Sequence, residues 1–194
     1  MSSFKDFLLN RDHSAAWELA FAMTGVRMGE RQLLIGDDAD LFTQLAGKAG
    51  LTGHLAVVVP DERAAAQVEA AAASAGVLIE DIRRATLPDV PGDPGQFDLA
   101  VLSVGPAFLS LRADQRKALA QNVHRALRTG GRMVVVEGRP PRLFGLIRSP
   151  TEGLAEFHAE GGATGILEAA GFRPVRLLAD REGQRFTEGI KTGT

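Results

Sequence analysis

An acidic turn follows the first apolar run of the sequence. Residues 32–35 (QLLI) lead directly into Gly36-Asp37-Asp38-Ala39-Asp40. Carboxylates this close together can pair with cationic groups of a ligand. Aspartate also tolerates left-handed backbone better than most residues, so a tight turn after Gly36 is possible without further glycines. The residue types therefore predict an acidic loop at the end of a buried strand.

Two more charged positions follow later apolar runs. Asp61 begins a helical pattern, and it either contacts a ligand or simply caps that helix; both alternatives stay open. Arg83 and Arg84 lie after the third run. An arginine pair at this position binds a phosphate or carboxylate, or else belongs to a solvated loop.

Histidine supplies the candidates for proton transfer. His158 lies between the fifth apolar run and the last helical pattern, and it is the candidate general base. The alternative is an ordinary surface or packed histidine. His13 lies in the N-terminal segment, His54 begins a strand pattern, and His124 is predicted at the surface of a helix. No histidine pair has metal-ligand spacing with carboxylates, so no metal site is predicted.

Composition narrows the class of protein. The 194 residues contain no cysteine, which excludes disulfides, thiolate catalysis and cysteine-based zinc sites. The formal net charge of -2 gives no electrostatic basis for nucleic-acid binding. The sequence has neither the pattern of a signal peptide nor a bilayer-spanning apolar run. We therefore expect a cytoplasmic globular protein; the small-molecule substrate that we also expect follows from the family resemblance given below.

Strand and helix patterns alternate along the chain. Continuous apolar runs, typical of strands covered on both faces, occur at 32–35, 55–59, 77–79, 97–102 and 132–136. Helical patterns occur at 14–24, 41–49, 61–75, 111–128 and 165–170. Near the end, strands at 175–178 and 185–190 flank a turn at 180–184. The order predicts a doubly wound α/β fold, Rossmann-like, whose seven-stranded sheet is mostly parallel with a C-terminal antiparallel hairpin.

The sequence lacks the motifs that define two classes of nucleotide-binding protein. The turn at Gly36 does not supply the Gly-x-Gly-x-x-Gly of a nicotinamide-binding domain. No Gly-x-x-x-x-Gly-Lys-Ser/Thr occurs either, which excludes P-loop chemistry.

Several segments, in order and at proper spacing, resemble the class I S-adenosylmethionine (SAM)-dependent methyltransferase family. The most specific is residues 127–137 (LRTGGRMVVVE), which is similar to the family's helix, Gly-Gly turn and fifth strand. The other matching segments are 25–36, 50–61, 95–101 and 167–172. The resemblance runs from about Thr24 to Lys191.

The resemblance implies SAM as cofactor and a set of contact positions. Those positions are Gly36, Asp37, Asp38, Asp61, Ala85, Thr86 and Ser103. Asp61 matches the family's ribose-binding acid, although a shift of one residue would put Pro60 there. The family's glycine-rich loop is altered, since Asp38 and Asp40 stand at its second and third glycine positions. Leu34 stands at its acidic position in the first strand, and Arg83 at the acidic position that contacts adenine.

We expect a single methyltransferase-like domain over 1–194. Its parts are an N-terminal helical cap (1–28), a cofactor-binding half (29–138), and substrate-side helices with the hairpin (139–194). Residues 139–149 mix basic and apolar side chains after the fifth strand, where doubly wound folds bind ligands. This segment is either a substrate lid, an apolar docking surface for a lipid-like substrate or a partner subunit, or an irregular connection. A homo-oligomer is therefore one possibility.

Two functions remain at this stage. The first is methyl transfer from SAM to a small or lipid-like acceptor. The second is a non-catalytic methyltransferase-like protein that has lost SAM binding and acts as a binding or assembly partner. The acidic loop and Arg83 favour the second function, and the acidic position after the second strand favours the first.

Overall fold

The computed structural model describes residues 19, 22–50, 52–77, 79, 81–85, 87–90, 92–138, 153–181 and 183–193. Three sequence predictions lie outside these residues: His13, Thr86 and the docking segment 139–149. Most of the expected N-terminal helix does too, although residues 19 and 22–24 are helical.

Seven strands and six helices occur within the described residues. The strands are β1 (Arg31–Ile35), β2 (His54–Val59), β3 (Asp81–Arg84), β4 (Phe97–Val104), β5 (Leu127–Gly138), β6 (Val175–Arg181) and β7 (Gln184–Ile190). The helices are α1 (Ala39–Ala49), α2 (Glu62–Ala75), α3 (Pro106–Leu109), α4 (Ala113–Ala126), α5 (Leu154–Ala159) and α6 (Gly162–Ala169).

The strands form one sheet in the order β3-β2-β1-β4-β5-β7-β6. Strands β1 to β5 are parallel, and β7 is antiparallel to both of its neighbours. The predicted mostly parallel sheet with its C-terminal antiparallel hairpin is therefore confirmed. Strands β1 and β4 are neighbours in the sheet, and the strands that follow them in sequence, β2 and β5, lie on opposite sides of this pair. The carboxyl ends of β1 and β4 are therefore the topological switch point of the sheet.

Successive residues of each central strand face opposite sides of the sheet, and both sides are buried. Leu33 and Ile35 of β1 belong to one core, and Leu34 belongs to the other. Helices α1 and α2 cover the Leu34 face, whereas α4 and α6 cover the Leu33 face. Burial on both faces explains why these strands are continuously apolar in sequence.

Helix α2 has the predicted ends, but the third strand does not lie at the predicted residues. The Asp61 carboxylate accepts a hydrogen bond from the Ala64 N–H at 2.8 Å, and Gly76 ends the helix in left-handed backbone (φ 66°). The prediction of a strand at 77–79 is wrong. The Val77 N–H donates to the Ala72 carbonyl at 2.9 Å, so this residue completes the helix terminus. Pairing with β2 begins only at Asp81.

Two further predictions are corrected in the second half of the chain. His124 is half-buried rather than on the surface, with its ring edge-on to Phe172 at a centroid distance of 4.8 Å. Burial, and to a smaller extent the charge of Lys191, lowers the pKa of His124. The helical pattern at 165–170 is extended towards the N-terminus, because α6 begins at Gly162 and the short α5 precedes it. Across the described residues, no helix is long and apolar enough to cross a membrane.

Candidate functional site

A cavity of about 680 Å³ opens at the carboxyl ends of β1, β4 and β5, at the switch point of the sheet. We call it the carboxyl-edge cavity. It is lined by Asp37, Asp38, Ala39, Asp40, Gln67, Ala70, Ala71, Ser103, Val104, Gly105, Val136, Gly138 and Gln184. Its volume is within the range of small-molecule sites, roughly 300–1,000 Å³.

The turn between β1 and α1 packs directly on the end of β4. Gly36 has a φ of 130°, and a Cβ there would lie 2.9 Å from the carbonyl oxygen of Ser103. The Asp37 carboxylate lies against Gly105, where a side chain on the glycine would overlap it. Gly36 is therefore needed for this close approach of the two loops, whereas a side chain at position 105 would displace the Asp37 carboxylate.

Asp38 is the N-cap of α1. The Leu41 N–H donates to its Oδ1 at 3.0 Å. Burial raises the pKa of Asp38, the hydrogen bond from Leu41 opposes that rise, and the charges of Asp40 and Asp37 add to it. The turn therefore holds several negative charges close together, and one of them is partly removed from water.

Ser103 and Gln184 bring unpaired polar atoms to the same cavity. Ser103 is 9% exposed, and its hydroxyl has no hydrogen-bond partner among the described residues. The Oε1 atom of Gln184 is buried and likewise lacks a partner there. Buried polar atoms are normally hydrogen-bonded, so Oε1 of Gln184 indicates a polar ligand or water in the cavity.

The other predicted cofactor contacts lie elsewhere. Asp61 is exposed, caps α2 as described above, and does not line the carboxyl-edge cavity. Ala85 lines a separate cavity of about 270 Å³, together with Arg83 and Arg84. Those arginines form exposed ion pairs with Asp81 and Glu62, respectively. The structure thus brings together Gly36, Asp37, Asp38 and Ser103.

A second cavity, of about 370 Å³, contains His158 on the opposite face of β5. We call it the His158 cavity. The histidine lies with Nε2 3.1 Å from Oε2 of Glu137, whose side chain is only 8% exposed. Arg185 and Thr187 of β7 line the same cavity. Because Glu137 follows Val136, its side chain projects to the face opposite to that of the carboxyl-edge cavity.

Helix α5 carries His158 and is held from its other side. Phe157 is fully buried, with its ring edge-on to Phe108 at 5.4 Å. The fully buried Arg116 of α4 makes ion pairs with Glu156 at 3.3 Å and Glu160 at 3.2 Å. These contacts fix the position of the helix and therefore of the histidine.

Sequence reasoning missed Glu137, Gly105 and Gln184 as site residues. The first two could have been found, since each follows an apolar run of the parallel sheet and so lies at its carboxyl edge. Gln184 gave no such signal. It begins β7, and only the antiparallel pairing of Gly138 with Gln184 places it at this edge. The described residues contain no group of acidic or histidine side chains arranged to hold a metal ion.

Comparison with known proteins shows the fold. No protein-family model and no curated protein matches the sequence. Among solved structures, the chain is similar to a SAM-dependent methyltransferase from Aquifex aeolicus, with a TM-score of 0.69, 15% identity, and coverage of 90% of this chain and 89% of that one.

Two other structures have the same fold. The [4+2]-cyclase SpnF has a TM-score of 0.61 and 17% identity, with coverage of 92% of this chain and 81% of that one. PigF, whose structure contains S-adenosylhomocysteine (SAH), has a TM-score of 0.57 and 18% identity, with coverage of 84% and 51%. The chain therefore has the fold of class I SAM-dependent methyltransferases. The cyclase illustrates that this fold does not fix the reaction.

Proposed function

We propose that the protein transfers a methyl group from SAM to a small or lipid-like acceptor. The observation that carries the proposal is the carboxyl-edge cavity, which lies at the switch point between β1 and β4, where doubly wound folds bind their ligands. Similarity to SAM-dependent methyltransferases supports the same choice.

The lining of this cavity fits a ligand with net positive charge. SAM carries a sulfonium, an ammonium and one carboxylate, so it is a monocation at neutral pH. Asp37, Asp38 and Asp40 line the cavity, and no basic side chain of the described residues does. The aspartates would hold the cationic groups, and the unpaired Ser103 hydroxyl would accept or donate a hydrogen bond. When bound, SAM supplies an electrophilic methyl group.

His158 lies at the same carboxyl end of β5 as the carboxyl-edge cavity but on the other face of the sheet, so we propose it as the base for an acceptor that reaches over this edge. In the tautomer that carries its proton on Nε2, His158 donates a hydrogen bond to Oε2 of Glu137. Nδ1 is then free to take a proton from a hydroxyl or amine. The rest of the rate enhancement would come from orienting the two reactants.

SAM binding is the direct test of this proposal. Calorimetry should give a measurable dissociation constant. SAM at 100 times that constant should stabilise the fold by about 2.7 kcal/mol in denaturant unfolding. Ala71→Trp fills the cavity and should weaken binding at least about tenfold, which corresponds to 1.4 kcal/mol. Ala73→Trp, at an exposed position of the same helix that does not line the cavity, is the matched control.

The second candidate is a non-catalytic methyltransferase-like protein. It is favoured by Asp61, the expected ribose contact, whose carboxylate caps α2 and lies outside the cavity lining. If millimolar SAM gives neither a binding heat in calorimetry nor stabilisation in denaturant unfolding, the methyltransferase proposal is excluded and this second candidate is left.

A further inference from the structure

The charges of the carboxyl-edge cavity are unbalanced. Three aspartates line it within four positions of the chain, and within the described part of the chain no arginine, lysine or histidine joins them. Asp37 and Asp38 are half-buried. A charge held partly away from water attracts an opposite charge more strongly than an exposed one does. The lining therefore favours a cation over a neutral molecule of the same shape.

The N-terminus of α1 is closed to an anion. In many nucleotide-binding folds the free N–H groups of this helix bind a negatively charged group. Here the Leu41 N–H donates to the Asp38 carboxylate at 3.0 Å, and the Phe42 N–H donates to the Asp38 carbonyl at 3.1 Å. The Ala39 N–H donates to the Asp37 carbonyl at 3.2 Å. The turn thus satisfies most of its own donors and presents carboxylates instead.

A second, independent feature points to a polar ligand at this place. Ser103, on the neighbouring strand, is more than nine-tenths buried and lines the cavity, yet its hydroxyl has no partner among the described residues. A hydroxyl can accept a hydrogen bond from an ammonium group. Its position beside Asp37 and Asp38 places neutral and anionic acceptors along one wall.

We infer that this cavity selects its nucleoside by net charge, binding the cationic methyl donor more tightly than the neutral product that remains after transfer. The inference rests on the proposed function. A lone pair of the acceptor forms the new bond to the methyl carbon, and the electrons of the broken carbon–sulfur bond stay on sulfur, so the sulfonium becomes a neutral thioether. The ligand loses one positive charge while its shape hardly changes. Attraction to the aspartates therefore falls at the moment of transfer, which promotes release of SAH.

Calorimetry with three ligands that differ in net charge tests the inference. We expect SAM, a monocation, to bind at least about tenfold more tightly than neutral SAH. Decarboxylated SAM, a dication, should bind at least as tightly as SAM. Raising the salt concentration should narrow these differences, because salt screens the attraction.

Variants of the β1–α1 turn test whether its aspartates cause the preference for SAM over SAH. Asp38→Asn combined with Asp40→Asn should bring the SAM and SAH affinities within about threefold, mainly by weakening SAM. If the double variant does not fold, Asp40→Asn alone replaces it in this test, because that substitution alters an exposed side chain. Asp114→Asn, an exposed aspartate of α4 outside the cavity, is the matched control and should leave the ratio unchanged.

The outcomes separate the two proposals. Equal affinities for SAM and SAH, tighter binding of SAH, or a preference that is undiminished in the Asp38→Asn, Asp40→Asn variant would overturn the inference and leave methyl transfer standing. Binding of none of the three ligands would overturn the proposed function, and the inference with it.

Discussion

The carboxylates of the β1–α1 turn and those at the amino edge of the sheet have different surroundings. At the carboxyl edge, the aspartates of the β1–α1 turn have no basic neighbour among the residues lining their cavity. At the amino edge and the adjoining part of β7, each poorly exposed acid has an arginine. The pairs are Asp98 with Arg31 and Arg128, Glu30 with Arg132, and Glu188 with Arg176.

The pKa values follow this difference. Burial tends to raise the pKa of Asp98, but the hydrogen bonds from the Arg128 side chain and the Arg31 N–H outweigh it, and the pKa is lowered. Burial raises the pKa of Asp38, and the single backbone hydrogen bond there does not reverse it. The amino edge uses its charges to join strands, whereas the aspartates of the β1–α1 turn have no basic partner in the lining of their cavity.

Arg132→Ala should cause the largest loss of stability at the amino edge. The guanidinium contacts both carboxylate oxygens of Glu30, at 3.0 and 3.1 Å, and also donates to the carbonyls of Thr24 and Gly25. Its removal leaves a poorly exposed carboxylate without an opposite charge and with only the hydrogen bond from the Arg27 N–H, which should lower the free energy of unfolding by about 3 kcal/mol. Denaturant unfolding measures this change.

The matched control for that variant is Arg112→Ala, which breaks an exposed ion pair with Asp114. Its unfolding midpoint should equal that of the wild type. Equal midpoints for both variants would show that the amino-edge pairs do not hold the strands together.

Asp98→Asn should have a smaller effect that depends on pH. We expect a loss of about 2 kcal/mol at neutral pH, since hydrogen bonds to a charged group are weakened. The folded-state pKa of Asp98 is lowered, so its contribution is present above the unfolded-state value of 3.8 and is lost as pH falls through the folded-state pKa. Unfolding curves of the two proteins should therefore converge in acid. A constant difference across pH would contradict this explanation.

Asp38→Asn should have the smallest effect on the free energy of unfolding, and it should raise that free energy rather than lower it. Asparagine also caps helices, so the cap is kept while the unfavourable charge is removed. The folded-state pKa of Asp38 is raised, so wild-type stability falls as pH rises from 3.8 through the folded-state pKa. At neutral pH the variant should be more stable by about 0.5–1 kcal/mol. Denaturant unfolding of the wild type and the variant at several pH values checks this prediction. A variant less stable than the wild type would mean that the Asp38 charge supports the fold.

Much of the architecture was predictable because both faces of the sheet are buried. Continuous apolar runs such as 97–102 and 132–136 have no other stable arrangement in a chain of alternating strands and helices. The third strand could not be placed, because Asp81–Arg84 is short, polar and at the edge of the described sheet, whereas the apolar Val77 completes a helix terminus. Local composition does not reveal which backbone donors a helix end already uses.

Only those residues of the candidate site that come at or directly after the end of one strand could be predicted from the sequence. Asp37, Asp38 and Ser103 lie at the ends of parallel strands, and the edge of the sheet brings them together. The pairing of Glu137 with His158 joins a strand to a helix across 21 positions, and no periodicity encodes that contact. Asp61 had two possible roles in the sequence, and its hydrogen bond to Ala64 establishes the cap but leaves the ribose contact as a prediction.

The alternation of side chains along β7 has an evolutionary consequence. Gln184 lines the carboxyl-edge cavity and the adjacent Arg185 lines the His158 cavity, so one peptide bond separates the linings of two cavities. A substitution at one of these positions changes a side chain in one cavity and none in the other. Single-nucleotide changes in neighbouring codons can therefore alter the two cavities independently.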